Sequence, residues 1–120
     1  PFDLNDDHKQ VSNACQAAVR LFQRRHDVVP LEGFYYVEIP SSTDWSFNTG
    51  SSAFTPTGFF EIGKEGVKRK IQALTAYKDI LKDFPHPRSK EVLYGLAALR
   101  GAQSGLNYAE AVQVVFEKLK

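Results

Sequence analysis

The sequence predicts an α/β domain with few strands and amphipathic helices packed on them. Three observations carry that expectation. Apolar residues recur at helical spacing in several separate segments. Two short runs rich in aromatic and β-branched residues read as strands, and clusters of proline, glycine and small polar residues punctuate the segments. At 120 residues, of which 42% are hydrophobic, the chain is long enough for one packed core.

Residues 9–25 place Val11, Cys15, Ala18, Val19 and Phe22 at helical intervals. Asp6 or Asp7 suits the cap of this first helix, and Arg24 and Arg25 suit its end. Asp27 to Pro30 breaks the pattern. Residues 33–39, Gly-Phe-Tyr-Tyr-Val-Glu-Ile, read as a strand stopped by Pro40. A polar loop, Ser41-Ser42-Thr43-Asp44-Trp45, follows at the strand's C-terminal end, where open α/β sheets seat ligands. Residues 46–52 are rich in small polar residues and predict an exposed, mobile loop. Residues 57–62 read as a second strand. Residues 65–82 form a clear amphipathic pattern, with Val67, Ile71 and Leu74 on one stripe and Lys and Arg opposite. Two prolines make residues 84–89 a turn, and a third helix is expected from Ser89 or Lys90 to about Gln103, weakened at its end by Gly101 and Gly105. The last segment, 108–119, carries Val112, Val115, Phe116 and Leu119 at helical spacing, although 108–111 read equally well as extended chain. Two strands make a poor sheet alone, which predicts further strands elsewhere.

Composition excludes several classes. The net charge of +1 offers no dominant basic face, so neither nucleic acid nor a membrane surface is an expected partner. No apolar run approaches the roughly 20 residues of a membrane span. The lone Cys15 excludes an internal disulfide; it reads as a small buried core residue, and it makes a cytoplasmic location the default.

Three histidines, His8, His26 and His86, are the first candidates for chemistry. No two share an i, i+4 spacing, so there is no His-x-x-x-His metal clip. His8, at the mouth of a helix and flanked by carboxylates, has the surroundings of a metal ligand, and equally those of a solvated capping residue. His26, beside Arg24 and Arg25, reads as surface. His86 lies between Pro85 and Pro87. That rigid loop either presents His86 and Arg88 to an anionic or hydroxylated ligand or serves as a connector. Trp45, in a polar loop, suits stacking on a sugar ring better than Tyr35 or Tyr36, which read as core. Arg100 either faces the same ligand or braces Glu110. A glycine-rich phosphate loop, a serine nucleophile elbow and a cysteine pair are all missing from the sequence.

Five motifs in order, Asp3-Leu4-Asn5-Asp6-Asp7-His8, Tyr36-Val37-Glu38-Ile39-Pro40-Ser41-Ser42-Thr43-Asp44-Trp45, Pro85-His86-Pro87-Arg88-Ser89, Arg100-Gly101-Ala102-Gln103 and Tyr108-Ala109-Glu110-Ala111, resemble the C-terminal half of PIG-L/LmbE-like deacetylases. The resemblance implies the C-terminal portion of a Rossmann-like fold and zinc-dependent removal of acetyl groups from N-acetylated amino sugars. In that family the zinc ligands are a His and an Asp of an N-terminal His-Pro-Asp-Asp-Glu motif and a later His, and an Asp of the first motif is the general base. Only the later His has a counterpart here. By resemblance His8 is a zinc ligand, Asp7 supports it, and Asn5 stands where some relatives carry a His near the oxyanion. Ser41, Thr43, Trp45, His86, Arg88 and Arg100 are the expected lining of the sugar pocket.

The sequence therefore predicts one domain over residues 1–120 that is an incomplete, C-terminal part of a deacetylase. Its expected cofactor is zinc and its expected substrate an N-acetylated sugar. Alone it should be inactive, with the N-terminal half or a second chain supplying the missing groups. The competing expectation is a non-catalytic relative that binds a sugar or dimerises through an open sheet edge.

Overall fold

The computed structural model describes residues 1–47 and 53–119, without the side chain of Gln23. Part of the loop expected over 46–52 therefore lies outside the described residues. Three helices, α1 (Asp6–Ala18), α2 (Gly63–Thr75) and α3 (Lys90–Ser104), accompany three strands, β1 (Gly33–Val37), β2 (Gly58–Glu61) and β3 (Ala109–Glu117). The architecture is α/β, with one antiparallel sheet in the order β1-β3-β2.

The central strand comes from the segment whose apolar spacing favoured a helix. Residues 109–117 are extended, and Ala109, Ala111 and Val112 are buried. Valines and a phenylalanine at positions 112 and 114–116 suit a pleated surface. As a strand, this segment pairs with β1 along one edge and with β2 along the other. Phe34 pairs with Phe116 and Tyr35 with Val114, so β3 carries one extra residue at Val115. On the other side Gly58 faces Val112, and Phe59 faces Ala111.

The core lies between α2 and α3. Val67 and Ile71 pack with Leu93 and Ala97, rimmed by Ile62, Leu74, Leu81, Tyr94 and Tyr108. Helix α3 lies against β3 and β2, and α2 packs on α3. Ser89 caps α3 by accepting a bond from the Val92 N–H at 3.2 Å. Gly101, expected to weaken the helix, permits a close approach instead: a Cβ there would stand 2.7 Å from the carbonyl oxygens of Leu106 and Asn107. Gly105, at φ 73°, then closes α3 in the left-handed conformation.

Helix α2 is shorter than its pattern. It stops at Thr75, and the chain turns through Asp79 at φ 58°. The apolar spacing continues from Leu74 through either Tyr77 or Ile80 and Leu81; Tyr77 is exposed, and Leu81, beyond the helix, packs on the core. Helix α1 also ends early, tightening into a 3-10 turn over Val19–Gln23. Its cap is Asn5, with Asp6 and Asp7 in the first turn. No residue of α1 is buried, and Cys15, expected in the core, is exposed. The reason is tertiary: the apolar stripe of α1 borders a cleft beside β1. One contact joining this region to the sheet is the pair Phe22–Phe116, with ring centres 5.8 Å apart. His26 is exposed, as its setting beside Arg24 and Arg25 suggests. No described helix is long and apolar enough to cross a membrane.

Candidate functional site

The chain entering α1 makes an abrupt turn around Asp3, whose side chain is only 9% exposed. Burying a carboxylate is costly unless hydrogen bonds replace its water. Here the Asn5 N–H donates to Oδ1 at 2.8 Å and the Thr43 hydroxyl donates to Oδ2 at 3.0 Å. Thr43 Oγ1 in turn accepts from the Ile39 N–H at 2.8 Å. A backbone bond from the Leu4 N–H to the Ser42 carbonyl at 3.2 Å fixes the same junction. The end of β1 is thereby tied to the start of α1.

His8 is positioned by this junction. Asn5 Oδ1 accepts from the N–H groups of Asp7 and His8, at 2.9 and 3.4 Å, which starts the helix and aims its first turn. His8 Nδ1 stands 3.2 Å from Asp3 Oδ1. The two are close enough to attract but out of line, since Nδ1 makes no aligned hydrogen bond among the described residues. The carboxylate beside the imidazole is thus Asp3, whose role the motif alone did not reveal. Asp7, expected to support His8, is exposed on the first turn, and the Asn5 side-chain oxygen is engaged in capping.

Two clefts meet at this place. One, of about 260 Å³, runs between α1 and β1 and is bordered by Asp3, His8, Val11, Cys15, Tyr36 and Thr43. The other, of about 310 Å³, is bordered by Glu38, Asp44, Phe47, Pro87 and Arg100. Ile39, Thr43 and Phe54 belong to both. Of these three, Thr43 is the one whose side chain also bonds Asp3, on the His8 side.

Arg100 braces Glu38 rather than Glu110. Its Nε and Nη2 donate to the two Glu38 carboxylate oxygens at 2.7 and 2.5 Å, and Nη1 donates to Gln103 Oε1 at 2.9 Å. Its guanidinium also sits 5.9 Å from the centre of the Phe54 ring. Glu110 pairs instead with Lys70 of α2 at 2.6 Å. The bidentate fork explains the choice: Glu38 presents both oxygens to α3 across the second cleft.

Trp45 and His86, far apart in sequence, meet edge to face with ring centres 5.2 Å apart. Trp45 lies in a 3-10 turn over Asp44–Ser46 and is 42% exposed. His86 Nδ1 accepts from the Arg88 N–H at 3.0 Å. That bond requires an unprotonated Nδ1, so neutral His86 carries its proton on Nε2 and offers it as a donor. Arg88 is half-buried, and its Nε finds no partner among the described residues. Ser41 sits in the turn after β1 at φ 71°, a conformation a non-glycine residue adopts at a cost. Of the expected pocket lining, Thr43 and Arg100 border these clefts, whereas Ser41, Trp45, His86 and Arg88 border neither.

The donor set bears on zinc directly. An imidazole backed by a carboxylate is the arrangement of a metal-ligating histidine. Among the described residues, however, no group of three or more His, Cys, Asp or Glu side chains is placed to hold a metal ion. The described residues therefore do not make up a zinc site. Comparisons with models of known families, with curated proteins and with solved structures found no match.

Proposed function

We propose that this chain is the C-terminal portion of a Rossmann-like, PIG-L/LmbE-like deacetylase acting on N-acetylated amino sugars. The observation that supports this reading best is the placement of His8. It stands at the mouth of α1, beside the buried carboxylate of Asp3 and at the border of a cleft. A zinc ion, when bound, would then supply Lewis-acid activation for amide hydrolysis. On this reading His8 is one ligand, and the remaining ligands and the general base come from an N-terminal half or a second chain. Thr43 holds the junction between the metal side and the second cleft. Trp45 offers an apolar ring face to a sugar, and His86 Nε2–H offers a donor to its hydroxyl or carbonyl oxygens.

The chain has a single tryptophan, so its fluorescence reports on one place. N-acetylglucosamine titrated into the protein is expected to change Trp45 emission saturably, more than glucosamine does, and to lose the effect in His86→Ala. Equal, unsaturable responses to both sugars up to high concentration would sink the proposal. The isolated chain is also expected to release no amine from N-acetylated sugars in the presence of zinc.

One observation favours a second reading, a non-catalytic module that self-associates. Among the described residues strands β1 and β2 pair only with β3, and Val37 and Phe60 on them are 60% and 55% exposed. Open edges with apolar side chains invite pairing. A concentration-independent monomer in sedimentation would remove this alternative.

A further inference from the structure

We propose that the groove between α1 and β1 takes an extended peptide segment of another protein, added to the sheet as a strand antiparallel to β1. The segment it fits is apolar on the face turned to α1, cationic at its N-terminal end and acidic at its C-terminal end. This inference does not depend on the deacetylase reading.

The backbone of β1 supplies the first argument. Just ahead of the strand, the Glu32 carbonyl accepts from the Lys118 N–H at 2.9 Å. On the far side of β3, the Thr57 N–H donates to the Val112 carbonyl and the Val114 N–H donates to the Thr57 hydroxyl, both at 2.9 Å. Backbone groups alternate in direction along a strand. Gln113, between those two, therefore turns to β1, where its partner is Tyr36. Glu32, Phe34 and Tyr36 thus face β3, and Gly33, Tyr35 and Val37 direct their N–H and carbonyl groups the other way. No described strand meets them there. The next residue of that outward set, Ile39, is closed off, since its N–H goes to Thr43 Oγ1. An edge of this kind is a template for an added strand.

The second argument is what stands across that edge. The first cleft has Val11 and Cys15 of α1 on one side and residues 34–37 on the other. Val11 is 62% exposed, and Cys15 is exposed too. A third cleft, of about 260 Å³, continues along the helix past Val19 and Phe22 to Leu31, and shares Phe34 and Tyr36 with the first. An apolar wall opposite an unpaired edge suits a strand whose alternate side chains point to the wall. A second copy of β1 fits less well, because it would bring its own α1 into the same space.

Charge sets the direction. The carboxylate bordering the first cleft is Asp3, at the Thr43 end, and the guanidinium bordering the third is the exposed Arg20, at the Leu31 end. Asp6 and Asp7, exposed in the first turn of α1, add to the acidic end. A strand antiparallel to β1 enters at Asp3 and leaves at Arg20, so its N-terminal cation and its C-terminal carboxylate each meet the opposite charge.

The probe is a fluorescein-labelled synthetic peptide, Lys-Val-Thr-Val-Thr-Val-Glu with blocked ends, titrated into the full chain and read by fluorescence polarisation. Saturable binding is expected, with the charge-reversed peptide Glu-Val-Thr-Val-Thr-Val-Lys bound about 3–10-fold more weakly. Arg20→Glu is expected to remove that preference. In hydrogen exchange, bound peptide is expected to slow the amides of Gly33, Tyr35 and Val37 and to leave those of Phe34 and Tyr36 unchanged. Val37→Pro, which removes an outward N–H and no bond to β3, is expected to abolish binding, whereas Val37→Thr keeps it. Should Val37→Pro fail to fold, the peptide is altered instead: N-methylation of one alternate set of its residues is expected to abolish binding, and of the other set to leave it. No saturable binding, equal binding of the two peptides, slowing at β2 rather than β1, or indifference to N-methylation would each overturn the proposal. So would β1 amides that slow with rising protein concentration in the absence of peptide, since the occupant would then be a second copy.

Discussion

Ser89 is fully buried, with no exposed surface, and its hydroxyl takes up the otherwise orphaned Val92 N–H. A buried cap is worth more than a surface one, because water cannot replace it when it is removed. Ser89→Ala is expected to cost about 1–2 kcal/mol, measured as the change in urea-unfolding free energy. Asp3 belongs to the same class of residue: a polar group whose burial is tolerated because every lone pair in use has a donor. Ser89 was legible as a helix start, since Ser before a helical run is a known signal, but its complete burial was not. Asp3 lay inside a motif yet carried no assigned role, because its partner Thr43 is 40 positions away.

Between elements, two polar links stand out. The Arg100–Glu38 fork joins α3 to the chain leaving β1, with both side chains below 15% exposed, at 14% and 13%. Removing one member leaves the other charge poorly solvated. Arg100→Ala is expected to cost about 1.5–3 kcal/mol in the same unfolding measurement. The second link is weaker. The Tyr35 hydroxyl donates to Glu117 at 3.3 Å, joining the end of β3 to β1. Partial desolvation first, then the negative charge of Glu117 and this bond, push the Tyr35 phenol above its ordinary value of 10.0. The folded chain holds this proton more tightly than the unfolded one. Its contribution is therefore complete below the ordinary value and lost as pH rises through the raised one. The melting temperature is expected to fall more steeply above about pH 10 in the natural protein than in Tyr35→Phe.

At the scale of the molecule, stability is concentrated on one side. Helices α2 and α3 enclose the core, and β3 is held from both edges, whereas α1 buries nothing. Opening free energies should follow that division. Hydrogen exchange is expected to be slowest in α3 and β3 and fast throughout α1 beyond its capped first turn. Protection of α1 equal to that of α3 would contradict it. The open stripe of α1, and the edges of β1 and β2 that no described strand pairs, agree with the proposal that further structure completes the domain.

The sequence by itself determined the positions of α2, α3, β1 and β2, because local periodicity and punctuation act over a few residues and need no partner. It also carried Trp45 and His86 as candidates from their local settings, and Asn5 and Thr43 through the family resemblance. The tertiary structure decided the rest. It made β3 a strand, because backbone pairing on two edges outweighs a weak helical spacing. It left Cys15 exposed, because an amphipathic stripe is buried only where another surface meets it. It matched Arg100 with Glu38 and His8 with Asp3, because the choice among charges of suitable sign depends on which oxygens the fold brings within reach.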